Sequence, residues 1–278
     1  STYTFATRAI ESLGAPLKGG VELYFTYDEE FGGELGPGRL LAQGTIKPDL
    51  LIAAAFSYQV VTGHNGCLQL EVTVHGKAAH GAMPETGNDA LQAAVGILNA
   101  LYAAAADYRR VTSGVTGITH PTLNVGLIAG GINTNVVPDK VVFKLDRRMI
   151  PEENPAEVEA ALRTLIETVA QRHAGIRVDI RRLLLSNALK PLPGHEKLVQ
   201  ALQRHAKRVL GEDIPATGMP LYTDARLYGE HGCPIVLYGA GPRTVLESNA
   251  KQADENLVLE DLRKATHVVA AAVADLLA

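Results

Sequence analysis

Apolar runs in the outer parts of the chain predict the strands of an α/β layer. Residues 21–27 alternate between apolar and polar well enough for a strand. Residues 50–55 and 235–238 are short, continuous apolar runs, which are typical of strands buried in parallel sheets. Because helix-length segments lie between and after these runs, we predict alternating helices and strands here.

The middle of the chain has the pattern of a sheet with one buried and one wet face. Strict alternation predicts a first strand over residues 68–74, and apolar positions mark further strands at 123–127, 141–145 and 178–185. One helix is predicted between the first two strands and another before the last. The order is therefore β-α-β-β-α-β, a ferredoxin-like α+β unit.

The two helices of this middle part have recognisable starts. Asn88 is a plausible N-cap of the first, whose predicted core-facing stripe is formed by Leu91, Val95, Leu98 and Tyr102. The second opens with Asn154 as N-cap and Pro155 at its first position, and Gly175 is its predicted stop.

We therefore predict one α/β domain interrupted by an inserted domain. The α/β domain takes residues 1–64 and 186–278, and the inserted α+β domain takes residues 65–185. Turn-forming residues are frequent at both junctions. The chain has no initial methionine and enters a helical pattern without an obvious cap, so we expect the first strands of the α/β domain to precede Ser1.

Composition narrows the class of function. The 278 residues are 46% hydrophobic and 20% charged, as in soluble globular proteins. A net charge of -4 gives no sign of the excess positive charge with which proteins bind nucleic acid or an anionic membrane surface. Apolar runs fall short of the roughly 20 residues that span a bilayer, and no signal peptide opens the chain, so we expect a cytoplasmic protein acting on small molecules. Cys67 and Cys233 are expected to be buried free thiols.

The most distinctive local feature is an acidic turn in which Asp28, Glu29 and Glu30 precede Gly32 and Gly33. It follows a predicted strand, and the carboxyl ends of strands in open α/β sheets are where ligands bind. Adjacent carboxylates are costly there unless a cation, a proton or a substrate accounts for them. One glutamate could hold a metal while the other acts as general base on water. A solvated acidic turn is the alternative.

Two further turns carry polar side chains. His80 lies in a loop of small residues, from which it could donate a hydrogen bond to a developing oxyanion, although a surface histidine is the commoner case. Asn135 lies in a glycine- and asparagine-rich turn, residues 130–138, which hairpin chemistry alone would explain.

Taken together, the three motifs in this order around an inserted domain resemble a family of zinc-dependent amidohydrolases and peptidases. Its members include acetylornithine deacetylase, succinyl-diaminopimelate desuccinylase, aminoacylase and carboxypeptidase G. Residues 145–148, 222–226 and 239–242 add further matches, so the resemblance covers nearly the whole chain.

The resemblance implies roles for individual residues. Glu29 would be the general base, Glu30 a metal ligand, and His80 and Asn135 would contact the substrate carboxylate or oxyanion. Arg148, in one of the further matches, is a predicted substrate-binding residue. The inserted domain would serve as lid and dimerisation domain of a homodimer. The substrates would be N-acyl amino acids or small peptides, and the cofactor zinc or another divalent metal.

The sequence departs from this family at the metal ligands. Of the five positions that the family uses, two lie upstream of Ser1, and the acid expected after the strand at 50–55 is replaced by Ala54 and its neighbours. Lys251 stands where a histidine ligand is expected, and an ammonium group has no lone pair for a metal. Glu30 alone cannot hold zinc, which normally takes three or four protein ligands.

Our hypothesis is that Lys251 reaches the Glu29–Glu30 pair and replaces the lost metal charge; the alternative is that Lys251 points into water. A metalloenzyme would need ligands from a part of the protein before Ser1 or others in this chain, for which the candidates are Asp28, His64, Asp224 and His231. We thus predict an amide-bond hydrolase. The alternative is a non-catalytic relative that serves as a dimeric small-molecule binder or scaffold.

Overall fold

A computed structural model describes residues 1–14 and 16–278 of the chain. It divides into two compact units. The α/β unit comprises Ser1–His64, Leu189–Met219 and Thr223–Ala278, and the inserted unit comprises Asn65–Ala188 and Pro220–Tyr222.

Helices and strands alternate along most of the described chain. The helices are α1 (Thr2–Leu13), α2 (Arg39–Ala42), α3 (Ala90–Tyr108), α4 (Pro155–Ala170), α5 (His195–Leu210), α6 (Ala225–Glu230) and α7 (Leu259–Leu276). The strands are β1 (Leu51–Ala53), β2 (Val60–His64), β3 (Gly66–His75), β4 (Thr122–Gly130), β5 (Lys140–Met149), β6 (Arg177–Ser186), β7 (Ala216–Met219) and β8 (Ile235–Leu237).

The α/β unit contains a mixed four-stranded sheet in the order β1-β8-β2-β7. The two continuous apolar runs form β1 and β8, which pair in parallel as predicted. Strand β2 is parallel to β7 and antiparallel to β8. Helices α5 and α7 pack together, and the buried core of the unit includes Val60, Leu202, Val236, Tyr238 and Val268.

The prediction of a strand at residues 21–27 is wrong. This segment has neither helix nor strand structure, and Phe25 and Tyr27 are 76% and 70% exposed. Alternating side chains favour a strand only where a neighbouring strand supplies the ladder of hydrogen bonds. The sheet of the α/β unit does not pair with this segment, so no neighbouring strand supplies hydrogen bonds to its backbone.

The inserted unit has the predicted β-α-β-β-α-β order, formed by β3-α3-β4-β5-α4-β6. Its antiparallel sheet has the order β4-β5-β3-β6. The alternation in β3 is the reason for its orientation, because every second residue enters the core. These buried residues are Leu68, Leu70, Val72 and Val74, and they pack with Phe143 and with Ile97 and Leu162 of the two helices.

Helix α3 differs from its prediction in cap and orientation. The N-cap is Asp89 rather than Asn88, and its carboxylate accepts hydrogen bonds from the backbone N–H groups of Leu91 and Gln92. The buried residues are Ala90, Ala93, Ala94, Ile97 and Leu101, whereas Leu91, Val95 and Tyr102 of the predicted stripe are exposed. A helix with apolar residues on more than one face leaves the choice of the buried face to packing, and here the buried face consists of three alanines with Ile97 and Leu101.

Helix α4 begins as predicted. Asn154 is the N-cap, its side chain accepts a hydrogen bond from the Ala156 N–H at 3.0 Å, and Pro155 is the first helical residue. The helix ends at Ala170, before the predicted stop at Gly175.

Among the described residues, one helix, α3, is long and apolar enough to pass a length-and-composition test for a membrane span. Core helices of folded domains pass the same test, and five residues of α3 are buried in the inserted unit.

Both cysteines are buried free thiols, as predicted. Burial raises the pKa of Cys67 to about 12 and that of Cys233 to about 11. Since the thiolate is the reactive form, we expect neither residue to react with Ellman's reagent at pH 8 in the native protein. Both should react in guanidinium chloride, which serves as the control, and rapid labelling of the native protein would contradict the burial.

Candidate functional site

The Glu29–Glu30 pair lies in the acidic loop, which we define as residues 28–36. Glu29–Phe31 forms one turn of 3₁₀ helix, and Gly32 and Gly33 follow with φ of 104° and 76°. Such left-handed conformations favour glycine, which explains why two glycines end this turn. The loop therefore has a defined conformation although no strand precedes it.

Lys251 contacts this loop directly. Its Nζ donates a hydrogen bond to Glu30 Oε1 at 2.8 Å, and the two side chains are 81% and 70% exposed. The hydrogen bond and charge of Glu30 raise the pKa of Lys251, and Glu255 and Glu29 add smaller contributions. Since water screens so exposed a pair, it contributes little to stability, and its interest lies in the charge it places at Glu30.

The backbone around Lys251 is unusual. Asn249, Lys251 and Asp254 all have positive φ, between 53° and 63°. The Lys251 N–H donates to Glu255 Oε2 at 3.1 Å. Asn and Asp adopt this conformation more readily than other non-glycine residues, so Lys251 is the unusual member of the three.

The described side chains do not form a metal site. In residues 1–14 and 16–278, no three His, Cys, Asp or Glu side chains are grouped so that they could hold a metal ion. Lys251 at Glu30 further disfavours a cation there, because the two positive charges would repel each other.

The four alternative metal ligands have other surroundings. Both carboxylate oxygens of Asp28 accept backbone hydrogen bonds. Buried His64 lies with Nε2 3.2 Å from the Thr223 hydroxyl, and His231 Nδ1 lies 2.8 Å from a backbone carbonyl oxygen. Burial raises the pKa of Asp224, and the charge of Asp28 raises it further.

In the inserted unit, His80 and Asn135 lie in two loops that are bonded to each other. The Gly81 N–H donates to the Asn135 carbonyl oxygen at 2.7 Å, and His80 forms a β-bridge with Val136. The Ala82 N–H donates to His80 Nδ1 at 3.1 Å. Because Nδ1 accepts this bond, the proton of the neutral ring is on Nε2, which is therefore a hydrogen-bond donor.

Arg148 lies on the sheet of the inserted unit with its charge already compensated. Its Nε and Nη2 donate to the two carboxylate oxygens of Asp146 at 2.7 and 3.1 Å, and its guanidinium lies 5.1 Å from the centre of the Tyr222 ring. Gln69 also donates to Asp146, at 3.0 Å. A substrate carboxylate would therefore share Arg148 with Asp146. The i, i+2 spacing, which places both residues on one face of β5, is the signal in the sequence that could have identified Asp146.

Arg226 is a second residue whose role is visible only in the structure. It is only 3% exposed, and its Nη2 donates to the carbonyl oxygen of Gly32 at 2.9 Å and to Glu34 at 3.3 Å. Its Nη1 donates to Glu230 at 3.3 Å. The sequence around Arg226 gives no sign that this side chain is buried.

These observations define a class of protein. Its α/β unit carries two adjacent glutamates on a loop, and it is interrupted by a ferredoxin-like unit in which two bonded loops carry a histidine and an asparagine. Residues 62–174 match the family model M20_dimer, described as a peptidase dimerisation domain. The inserted unit is thus similar to a peptidase dimerisation domain, which confirms the resemblance seen in the sequence.

Two curated relatives are similar to nearly the whole of this chain. Acetylornithine deacetylase of Myxococcus xanthus is 29% identical over 276 residues, which cover 95% of this chain and 66% of that protein. Succinyl-diaminopimelate desuccinylase of Gluconobacter oxydans is 26% identical, covering 91% of this chain and 64% of that protein. The chain thus spans about two thirds of the length of these relatives.

Solved structures show the same fold. Aminopeptidase PepT from Bacillus cereus matches 99% of this chain and 69% of its own with a TM-score of 0.71 at 20% identity. The M20 family metallo-carboxypeptidase Sso-CP2 from Sulfolobus solfataricus matches 89% of this chain and 68% of its own with a TM-score of 0.70 at 19% identity. The predicted fold class is therefore confirmed.

Proposed function

We propose that this protein is an amide-bond hydrolase that acts on N-acyl amino acids or small peptides. The observation that carries the proposal is the acidic loop, in which Glu29 and Glu30 stand side by side in one 3₁₀ turn of an M20-type fold. Relatives named deacetylase, desuccinylase and carboxypeptidase support the reaction type.

The proposed chemistry assigns one task to each group. Glu29 takes a proton from the attacking water as general base. His80 donates from Nε2, and Asn135 from its side-chain amide, to the oxyanion or the substrate carboxylate. Lys251 supplies positive charge at the acidic loop, and Arg148 contributes to binding the substrate. Zinc or another divalent metal, which the resemblance implies, would need ligands beyond Glu30 and the other described side chains.

Turnover and metal content, measured on the same sample, test the proposal. Purified protein is incubated with N-acetyl and N-succinyl amino acids and with dipeptides, with and without added zinc, while amine release and bound metal are quantified. We expect hydrolysis of at least one of these amides above the rate without protein. No hydrolysis of any member of the panel, with or without zinc, would contradict the proposal.

A non-catalytic scaffold is the second candidate, and one observation favours it. The Lys251 ammonium lies 2.8 Å from Glu30, at the position where the resemblance implies a histidine ligand. A relative that had lost its metal could keep its acidic pair neutralised in this way. Stoichiometric bound zinc, or any hydrolysis that depends on Glu29, would rule out the scaffold.

We also propose that the protein forms a homodimer through the inserted unit. Helix α3 exposes Leu91, Val95 and Tyr102, and it packs next to β4, an edge strand that exposes Leu127 and Ile128. An apolar helix face beside an unpaired strand edge is a surface that another chain can cover. The dimerisation domain to which this unit is similar supports the same assembly.

Val95→Asp is expected to convert this dimer into a monomer, because a charge in an apolar interface is left without a partner. Light scattering after size exclusion at micromolar concentration would measure a mass near the chain's own 29.6 kDa instead of twice that mass. Thr164→Asp on the exposed face of α4 is the matched control and should leave the mass unchanged. A monomeric parent protein would contradict the proposal.

A further inference from the structure

The conformation of the acidic loop depends on its first residue, Asp28. Its φ of 67° and ψ of 15° lie in the left-handed region, which costs most non-glycine residues energy but which Asp and Asn adopt more readily. Glycine would fit this backbone without cost. Some property of the aspartate side chain must therefore compensate for the conformation.

The Asp28 side chain closes the loop on itself. Its Oδ2 accepts the N–H of Leu35 at 2.7 Å, and its Oδ1 accepts the N–H of Gly36 at 2.9 Å. Its backbone carbonyl accepts the N–H groups of Phe31 and Gly33 at 2.9 and 3.0 Å. Four hydrogen bonds thus converge on one residue, and two of them are charge-assisted.

The approach is so close that the far side of the loop must be glycine. A Cβ atom on Gly36 would lie 2.5 Å from the Tyr27 carbonyl oxygen and 2.6 Å from Asp28 Oδ1. The short side chain of Asp28 and the missing side chain of Gly36 fit each other.

Arg226 holds the same loop from α6. Its buried guanidinium donates to the Gly32 carbonyl at 2.9 Å, directly after the turn that bears the two glutamates. One residue further along, a Cβ on Gly33 would lie 2.7 Å from the Asp224 Cβ, so this end of the loop packs tightly against the start of the helix. Glu29 and Glu30 are therefore carried on a turn that is fixed at both ends.

We propose that Asp28 is a positioning residue for the Glu29–Glu30 pair and that Arg226 is its second anchor. On an unrestrained surface loop, the backbone that carries the two glutamates would sample many conformations. The hydrogen bonds of Asp28 hold the turn so that Glu29 stays beside Glu30 and Glu30 stays within reach of Lys251. The catalytic part of this inference rests on the proposed hydrolase function.

Asp28→Gly and Asp28→Asn test the proposal with a readout that is independent of turnover. Glycine removes the carboxylate without straining the backbone, so amide hydrogen exchange over residues 28–36 should become about tenfold faster. Asparagine keeps one acceptor oxygen and should recover part of the protection. Asp254→Gly changes the same residue type at a similar φ of 61° and is the control, with exchange in the acidic loop unchanged. Thermal unfolding followed by circular dichroism verifies that each variant is folded.

Steady-state kinetics of the same variants are the second test. In the active enzyme, Asp28→Gly should lower kcat by about tenfold with little change in KM, and Asp28→Asn should restore part of kcat. Unchanged exchange in Asp28→Gly, or exchange in Asp28→Asn as fast as in Asp28→Gly, would overturn the positioning role. If no variant and no parent protein hydrolyses an amide, the proposed function fails, while the exchange measurement still decides the role of Asp28.

Discussion

Glu29→Gln is expected to lower kcat for amide hydrolysis by about 100-fold or more, which is the usual contribution of a general base. Glutamine has the size and shape of glutamate, but its amide cannot take a proton from water. KM should change little, because the proposed role of Glu29 lies in the transition state. Steady-state release of amine from the best N-acyl amino acid of the panel is the measurement.

Glu11→Gln is the matched control for this experiment. Glu11 lies exposed on α1, outside the acidic loop, so the same change of residue should leave kcat as in the parent protein. A Glu29→Gln variant that keeps more than about half of the parent kcat would show that Glu29 is not the base.

Phe143→Ala should have the largest effect on stability, about 3–5 kcal/mol of the free energy of unfolding. Phe143 is fully buried in the core of the inserted unit. It lies on β5, whose ladders place it opposite Val72 of β3 and Ile128 of β4. Removing its ring deletes buried contacts and leaves a cavity that the surrounding sheet and helices can only partly close.

Urea denaturation followed by circular dichroism would measure this loss. Ile132→Ala is the control in the same unit, because Ile132 is 81% exposed and its truncation should change the free energy by no more than about 0.5 kcal/mol. A loss below about 1 kcal/mol in Phe143→Ala would mean that the core repacks around the missing ring.

The fold was predictable where neighbouring strands and helices pair with or cover the segment that has the apolar pattern. The alternation in β3 finds strands on both sides and helices on one face, and the order of the inserted unit followed from it. Residues 21–27 have the same kind of alternation but no paired neighbour, and they form no strand. Periodicity thus predicts which residues share a face, whereas pairing decides whether a strand forms.

Helix α3 shows a second limit of periodicity. Val95 and Ile97 lie on different faces of one apolar helix, and only contacts with the sheet decide that Ile97 is buried. No count of apolar positions along the helix contains that information.

The sequence motifs identified the principal residues of the candidate site, but not the roles of the residues that hold them in place. His80 and Asn135 are in bonded loops, and Lys251 contacts Glu30, all from residues that the motifs singled out. Asp146 and Arg226 both lie in matched segments, but their roles follow from contacts with residues distant in sequence, Gln69 and Gly32, and for Arg226 from burial. Such long-range contacts leave no local pattern in the sequence.

An antiparallel bridge between His64 and Leu189 joins the two segments of the α/β unit that flank the inserted unit. Each residue donates its N–H to the carbonyl oxygen of the other at 3.1 Å, so the two ends of the α/β unit that flank the insertion are direct neighbours. In such a pair the Cα atoms are about 5.5 Å apart, a gap that one or two residues can bridge. The inserted unit therefore joins the α/β unit at one pair of adjacent, buried residues, and a laboratory exchange of the inserted unit between relatives would use these two junctions.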